Sequence, residues 1–282
     1  MLLEDGQKSQ KYPFRIVSET LVISPEYQLH ADAIKNAISN FDDHSQILGA
    51  AERNVIKIVK VSDQKHTIKS FKVPNVVNQI VYRSFRKSKA QRSYEFAHKL
   101  LGLGIHTPQP VAYSYHTDGL LFKESYYMSE LFESDLTFRE LTEDFDIPDH
   151  EAILRAFTQF TYKLHEKGVN FIDHSPGNTL IKRVDGGYDF YLVDLNRMEF
   201  GPMDFETRIK NFAKLTIHKP LIKVMSNEYA KCSGADEHSV YDLMWKSTVA
   251  FQDQFFKKVR IKKRIFFWKK KYKSRPSRSS IQ

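Results

Sequence analysis

The sequence predicts an α+β fold, in which a small antiparallel sheet with one helix is followed by a mostly helical half. Three observations lead to this fold class. Two short, β-branched runs at residues 54–61 and 66–73 flank a polar turn, as the strands of a hairpin do. A helical stretch at 87–101 is followed by two more runs of strand character. Beyond these, apolar residues recur mostly with helical spacing.

The first half of the chain is predicted in the order strand, strand, helix, strand, strand. The helix at 87–101 ends at glycines and presents one apolar stripe, made of Tyr94, Ala97, Leu100 and Leu101. Strands follow at 109–115 and 123–131, and prolines hold the entry to the first of them extended. An extended crossing near 129–131 then leads into the second half.

The second half opens with a long helix that is predicted between residues 148 and 167. Its apolar positions recur at helical spacing: Ile153, Phe157, Phe160 and Leu164. A hairpin follows, because strand-like runs at 179–181 and 188–193 flank the turn Asp185-Gly186-Gly187. Mostly helical segments are predicted near 204–217 and 236–256.

Composition indicates a globular protein with a substantial core. The chain has 282 residues, of which 41% are apolar and 13% aromatic. We expect no secretory signal, because the first eight residues include acids and polar groups, and no run approaches the ~20 apolar residues of a membrane span. The single cysteine, Cys232, excludes an internal disulfide and a multi-cysteine metal site, and packing is its default role.

The formal charge of +9 comes from the C-terminal stretch. Residues 257–282 contain twelve Lys and Arg and no acid, so the rest of the chain has 31 bases and 34 acids. An aromatic cluster lies between two basic clusters at 257–273, a pattern that favours an anionic membrane surface. A solvated tail is the main alternative, and a nucleic-acid arm is less favoured. Residues 274–280 are expected to be disordered.

The candidate chemistry lies in the middle of the chain, where Asp173, Asn178 and Asp194 follow in a fixed order. Transfer of a γ-phosphoryl group needs a carboxylate that receives the acceptor's proton and oxygen ligands that hold Mg²⁺. The five-residue step from Asp173 to Asn178 matches a kinase catalytic loop. The predicted hairpin would return Asp194 beside Asn178. The competing interpretation is a polar loop without chemistry.

A basic residue on the small sheet should bind the ATP phosphates, and a carboxylate on the single helix should hold it. ATP would then lie in a cleft between the two halves. Lys69 and Glu95 are the candidates. Lys72 competes with Lys69, but three residues apart on a strand they face opposite sides, so only one faces the cleft. We prefer Lys69. Each of these charged residues alone would be an ordinary exposed side chain.

On these residues the chain resembles the bacterial lipopolysaccharide kinases that phosphorylate Kdo or heptose sugars of the inner core. The resemblance covers about 54–215. It is carried by Thr-Ile-Lys-Ser-Phe at 67–71, Arg-Ser-Tyr-Glu at 92–95, Gly-Ile-x-Thr-Pro-x-Pro-Val at 104–111, Asp-x4-Asn at 173–178 and Val-Asp-Leu-x-Arg at 193–197. It implies a bilobal protein-kinase-like fold, with an antiparallel-sheet N-lobe and a mostly helical C-lobe.

The resemblance also implies a role for each candidate residue. Asp173 would be the general base, and Asn178 and Asp194 would bind Mg²⁺. Lys69 would bind the ATP phosphates with Glu95 as its partner, and the backbone near Glu130 would meet adenine.

Three features depart from the usual kinase pattern. Phe171 stands where kinases carry His, and we expect it to pack. Asn196 stands where protein kinases have Gly, which suits a constitutively poised sugar kinase. No G-x-G-x-x-G occurs upstream; the segment 48–54 is the nearest candidate for the phosphate-covering turn, without an assignment.

The resemblance assigns no role to three basic residues near the candidate site. His165 and His174 are expected to be hydrogen-bonding structural residues rather than catalytic ones. Arg197 would pair with an acid or meet substrate phosphate.

The preferred function is an ATP- and Mg²⁺-dependent kinase for a lipid-linked saccharide of the lipopolysaccharide core, located in the cytoplasm at the inner face of the inner membrane. The alternatives are a kinase for a soluble small molecule or a protein, and a catalytically inactive scaffold. Three regions are predicted: an N-lobe at 1–131, a C-lobe at 132–256 and a basic aromatic tail at 257–282, which would bind the anionic membrane through 257–273.

Overall fold

A computed structural model describes residues 17–48, 54–75, 79, 86–119 and 121–273, with the backbone alone described for Val17 and for 266–273. The chain divides into two compact units, Met1–Glu133 and Ser134–Gln282. The segment 48–54, the nearest candidate for a phosphate-covering turn, lies largely outside the described residues. The disordered segment predicted at 274–280 and the N-terminal residues 1–16 also lie outside them.

The first unit contains a five-stranded antiparallel sheet with the strand order β1-β4-β5-β3-β2. Its strands and helices are β1 Val17–Ile23, α1 Ala31–Ser39, β2 Asn54–Val61, β3 Gln64–Phe71, α2 Lys89–Gly102, β4 Pro110–Asp118 and β5 Leu121–Glu130. The four strands and the helix predicted from the sequence are therefore present. Strand β1 and helix α1, which precede them, were not predicted from the sequence.

The two faces of this sheet are covered by different elements. One face packs against α1 through a buried cluster that includes Ile34, Ile38, Ile68 and Met128. The opposite face packs against α2 through Phe71, Ala90, Tyr94 and Tyr113. Because side chains alternate along a strand, Lys69 and Phe71 of β3 lie on the α2 face, whereas Ile68 lies on the α1 face.

The second unit is mostly helical. Its elements are β6 Leu136–Thr137, α3 Phe138–Glu143, α4 His150–Glu166, β7 Val169–Phe171, β8 Thr179–Val184, β9 Gly187–Leu192, β10 Met198–Phe200, α5 Phe205–Lys210, α6 Lys219–Ser233 and α7 Glu237–Lys273. The predicted stripe of α4 is core: Ile153, Phe157 and Leu164 are buried, and Phe160 packs against them. The sequence analysis missed α6, which packs against α4 and α7.

The predicted hairpin is formed by β8 and β9, with β6 as a third strand. Thr179 pairs with Leu192 at its open end, and Gly186 takes a positive φ of 82° at its turn. A separate two-stranded sheet joins β7 to β10, where Phe171 pairs with Met198. The segment predicted to be a catalytic loop thus starts at the end of β7 and finishes at the start of β8.

Helix α7 is longer than the sequence analysis expected. It runs without interruption from Glu237 to Lys273, so the predicted boundary at residue 257 falls inside a helix. Within the ranges that the structure describes, no helix combines the length and apolar composition needed to cross a bilayer.

Gly168, between α4 and β7, lies so close to the backbone of Gly201 that a side chain would not fit. Its φ is 68°, and a β-carbon built on it would lie 2.7 Å from the carbonyl oxygen of Gly201. Gly186 has a similar φ with open space around it. We expect Gly168→Ala to lower the free energy of unfolding by about 1–3 kcal/mol more than Gly186→Ala, because only the first adds a steric clash to the backbone strain. Urea denaturation of both variants measures this, and equal losses would contradict it.

Candidate active site

The loop between β7 and β8 holds Asp173 and Asn178 in direct contact. Residues Pro176–Asn178 form a 3-10 turn, and the Asn178 N–H donates to Ser175 O at 2.9 Å. The Asn178 side-chain nitrogen donates to the backbone oxygen of Asp173 at 2.8 Å. With its nitrogen used in this way, the amide leaves its oxygen to act as a ligand.

The hairpin returns the second Asp to this loop, as the sequence predicts. The N–H of Val193, directly after β9, donates to Asn178 O at 3.0 Å. Asp194 has a positive φ of 59°, and its Oδ1 accepts from the Asn196 side chain at 2.7 Å. Non-glycine residues with positive φ recur at active sites.

Two cations contact the same oxygen of Asp173. Arg197 Nη1 lies 3.0 Å from Asp173 Oδ1, and Lys214 Nζ lies 3.6 Å from it. Lys214 also donates to the backbone oxygen of Ile172. Two roles were left open for Arg197, pairing with an acid and binding substrate phosphate. The structure shows the first, because Arg197 pairs with Asp173. Lys214 was missed, because it lies in a helical segment far downstream where no pattern marks it.

Buried residues hold the loop from below. The side chain of Asn211 donates to Phe171 O at 2.9 Å, and its oxygen lies 2.8 Å from His174 Nδ1 and 3.3 Å from His165 Nε2. The predicted structural role of both histidines is confirmed by this arrangement. Burial lowers the pKa of His165 to about 3 and that of His174 to about 4, so both are neutral at pH 7. The sequence analysis missed Asn211.

Two apolar or small residues keep the loop tightly packed. Phe171 is fully buried, which confirms that it packs, and its ring centre lies 5.6 Å from that of His174. A β-carbon on Gly177 would lie 2.9 Å from a guanidinium nitrogen of Arg139. The glycine therefore lets an arginine side chain lie against the loop.

In the first unit, Lys69 is the better placed of the two candidate lysines. It lies within β3, opposite Tyr127 of β5, and its ammonium is 5.3 Å from the centre of the Phe71 ring. It therefore shares the sheet face with α2, the helix that carries Glu95. Lys72 lies beyond the end of β3 and is exposed.

Glu95 has a hydrogen-bond partner that the sequence analysis did not consider. Its two oxygens accept from Lys87 Nζ at 2.9 and 2.7 Å, and Oε1 also accepts from Gln91 at 3.1 Å. A pair between Lys69 and Glu95 stays a prediction. Lys87 would compete with Lys69 for this carboxylate.

Glu130 is anchored within the first unit by both its side chain and its backbone. Tyr27 OH donates to Glu130 Oε1 at 2.7 Å, and the Glu130 N–H donates to Gln109 O at 2.9 Å. The next N–H, of Leu131, donates to Lys65 O at 3.0 Å. An adenine contact at Glu130 would therefore use its carbonyl oxygen, and this contact stays a prediction.

Residues on either side of the candidate segment for the phosphate-covering turn are paired. Leu48 N–H donates to Ile56 O at 2.8 Å, and Ile58 N–H donates to Gln46 O at 2.9 Å. The residues that join these segments, 49–53, are outside the described ranges.

The donor set suits Mg²⁺ that arrives with a nucleotide. Among the residues described here, no three His, Cys, Asp or Glu side chains lie together as a metal-binding group. Mg²⁺ does not need such a cage, because one or two protein oxygens plus substrate phosphates commonly hold it. The amide oxygen of Asn178 and the carboxylate of Asp194 fit this requirement.

Comparisons with known proteins agree with the geometry. A model of the lipopolysaccharide kinase (Kdo/WaaP) family matches residues 53–233. Curated proteins yield no match. Among solved structures, WaaP in complex with acyl carrier protein is similar over 85% of this chain and 98% of that chain, with 14% identity and a TM-score of 0.56. This similarity confirms the predicted protein-kinase-like α+β fold.

Protein kinases are also similar, at a lower score. A double mutant of the PknI kinase domain from Mycobacterium tuberculosis is similar over 70% of this chain and 75% of that chain, with 14% identity and a TM-score of 0.40.

The buried histidines predict how stability depends on pH. Their pKa values are lower in the folded protein than the ~6.5 of an unfolded chain. Between pH 6.5 and about 4 the unfolded chain therefore binds protons that the folded one does not. The free energy of unfolding should fall with decreasing pH, by up to about 1.4 kcal/mol per pH unit for each histidine.

Urea denaturation from pH 7 to pH 4.5 measures this dependence. We expect His174→Gln to reduce the slope, because the glutamine does not titrate. His238→Gln is the control, since His238 is exposed on α7. If the free energy of unfolding depends on pH as steeply in His174→Gln as in the wild type, His174 does not contribute to this dependence and the prediction is wrong.

Proposed function

Because the chain belongs to the lipopolysaccharide kinase (Kdo/WaaP) family, we propose that it transfers the γ-phosphoryl group of ATP to a hydroxyl of Kdo or heptose in the inner core. The family makes the protein a kinase, a phosphotransferase that acts on a sugar of the lipopolysaccharide core. The observation that carries the finer proposal is the hydrogen-bonded cluster of Asp173, Asn178 and Val193-Asp194, which supplies a base and two metal ligands at one loop.

Asp173 is the proposed general base. Arg197 and Lys214 both contact its Oδ1, so Oδ2 is the oxygen that we expect to take the acceptor's proton. Lys214 and Asn178 bind backbone oxygens at Ile172 and Asp173, which fixes the direction of the carboxylate. A base fixed in this way saves the cost of orienting it during the reaction.

Asn178 and Asp194 are the proposed Mg²⁺ ligands. When bound, Mg²⁺ neutralises phosphate charge that builds up during transfer. Asn196 donates to one oxygen of Asp194 at 2.7 Å, which restrains the carboxylate that we expect to bind the metal. An Asp restrained by its own neighbour needs no activating switch, which suits a constitutively active sugar kinase.

The first unit supplies the proposed nucleotide contacts. Lys69 would bind the α- and β-phosphates from the α2 face of the sheet, with Glu95 as the acid that attracts it. Lys87, the present partner of Glu95, would then be displaced or shared. The Glu130 carbonyl oxygen would accept from the adenine amine.

Helix α7 is the proposed membrane-binding element. Its C-terminal part carries six bases between residues 257 and 264, together with exposed apolar side chains at Phe255, Phe256, Ile261 and Ile265. Bases attract anionic headgroups, and apolar side chains can enter the interface. We therefore place the enzyme at the inner face of the inner membrane, where a lipid-linked saccharide is presented.

Phosphoryl transfer tests the proposed roles directly. With γ-³²P-ATP, Mg²⁺ and Kdo-bearing lipid A precursor, we expect label on the lipid. Asp173→Asn and Asp194→Asn should each lower the rate by roughly 10²–10⁴-fold. For Asp173→Asn, this is the usual contribution of a positioned general base. Asp185→Asn, at the exposed hairpin turn, is the matched control and should transfer normally.

Other results would redirect the proposal. Transfer only to soluble sugars or to proteins would support a different acceptor. Nucleotide binding without transfer to any acceptor would support the inactive scaffold.

Vesicle binding tests α7. We expect the protein to bind vesicles with phosphatidylglycerol and not vesicles of phosphatidylcholine alone. Replacing the six bases from Lys257 to Arg264 by Gln should weaken binding at least about 100-fold, since each base contributes about 1 kcal/mol near an anionic surface. Transfer to a soluble acceptor should be unchanged. Equal vesicle binding by this variant and the wild type would exclude α7 as the membrane element.

A further inference from the structure

Lys214 is a second cation at the candidate base, and neither the motifs nor the comparisons assign it a role. We propose that Lys214, together with Arg197, forms a binding site for an anionic oxygen at the point of phosphoryl transfer. The oxygen belongs either to the γ-phosphoryl group or to an acid group of the acceptor sugar. The inference rests on the proposed function, because it takes Asp173 as the base.

The ammonium of Lys214 is held in one place. It donates to Ile172 O, lies 3.6 Å from Asp173 Oδ1 and lies 5.9 Å from the centre of the Phe251 ring of α7. Ile172 O engages one of its three N–H donors, whereas Asp173 Oδ1 is an ion-pair partner beyond hydrogen-bonding distance. The side chain is 29% exposed, so an incoming group can reach it.

Arg197 gives the site an excess of positive charge. Its Nη1 lies 3.0 Å from the Asp173 oxygen that Lys214 also contacts, and half of its side chain is exposed. Two cations share one carboxylate, so their combined charge exceeds it by one. An anion bound beside Asp173 would balance that charge, and a guanidinium has several N–H groups with which to bind it.

The position follows from what Asp173 must do. A hydroxyl that loses its proton to Asp173 has to lie about 2.6–3.2 Å from the carboxylate. Lys214 is 3.6 Å from the same carboxylate. The phosphoryl group that meets this hydroxyl, or an acid group on the same sugar, would therefore come within reach of the ammonium.

A purely structural role explains Lys214 less well. Asn211 already binds Phe171 O and His174, so the loop has a buried support that carries no charge. The Lys214–Asp173 ion pair is long, at 3.6 Å, and both side chains keep access to solvent. Solvent-accessible ion pairs contribute only about 0–1 kcal/mol to stability. The charge of Lys214 therefore adds little to the stability of the fold, whereas it can bind an anionic reactant.

The experiment compares variants that separate charge from hydrogen bonding. Lys214→Gln keeps an N–H donor for Ile172 O but loses the charge, whereas Lys214→Arg keeps both. Lys231→Gln is the matched control, because Lys231 of α6 is an exposed lysine with one carboxylate 3.8 Å away. Each protein is assayed for kcat and KM with an acidic Kdo acceptor and with a neutral heptose acceptor, and its melting temperature is recorded.

We expect Lys214→Gln to lower kcat/KM at least tenfold, while Lys214→Arg and the control stay within about threefold of the wild type. If the oxygen belongs to the acceptor, KM rises for the acidic sugar alone. If it belongs to the γ-phosphoryl group, kcat falls equally for every acceptor that the wild type uses. Should Lys214→Gln fail to fold, Arg197→Gln is measured in the same way and should show the same pattern.

Three results would overturn the inference. Lys214→Gln could keep its kcat/KM while Asp173→Asn is inactive, in which case the proposed function stands and the anion site does not. Lys214→Arg could lose as much as Lys214→Gln, so that charge would not be the cause. A wild type that transfers to neither acceptor would remove both the proposed function and the inference.

Discussion

The candidate site depends on two hydrogen bonds of Asn178, one made by its side chain and one made by its backbone oxygen. Its amide nitrogen binds the backbone of Asp173, and its backbone oxygen accepts from Val193, the residue before Asp194. The proposed base and the two proposed metal ligands are thereby linked by two hydrogen bonds of 2.8 and 3.0 Å. Phosphoryl transfer gains most from positioning and electrostatics, so rigidity at this point is what the chemistry requires.

Buried residues of the second unit support this loop from below. Asn211 joins the loop backbone to His165 and His174, and burial keeps both imidazoles neutral. Phe171 packs beneath the loop, at a position where other kinases use a polar brace. An amide with two neutral histidines therefore supports the loop in this protein. The part that carries charge, Arg197 and Lys214, faces the carboxylate of Asp173.

Much of this arrangement could be predicted from the sequence, because its signals are local. The turn at Asp185-Gly186-Gly187 predicts the hairpin, and the hairpin places Asp194 beside Asn178. Lys214 and Asn211 could not be predicted, since their contacts with the loop depend on how α5 and the following turn pack. The ion-pair partner of Glu95 could not be predicted either, because the sequence allows both Lys87 and Lys69 as partners. The structure pairs Glu95 with Lys87. Helix α7 exceeds its predicted length because its basic residues are good helix formers, and charge alone suggested a tail.

The central claim is that Asn178 and Asp194 hold a metal for a nucleotide, and calorimetry of ATP binding tests it most directly. The affinity of the wild type for ATP is measured with Mg²⁺ and with a chelator, and the same pair of titrations is made for Asp194→Asn. The account predicts that Mg²⁺ strengthens binding clearly in the wild type and much less in the variant, whose fold is checked by its melting temperature. An equal effect of Mg²⁺ on both folded proteins would contradict the account.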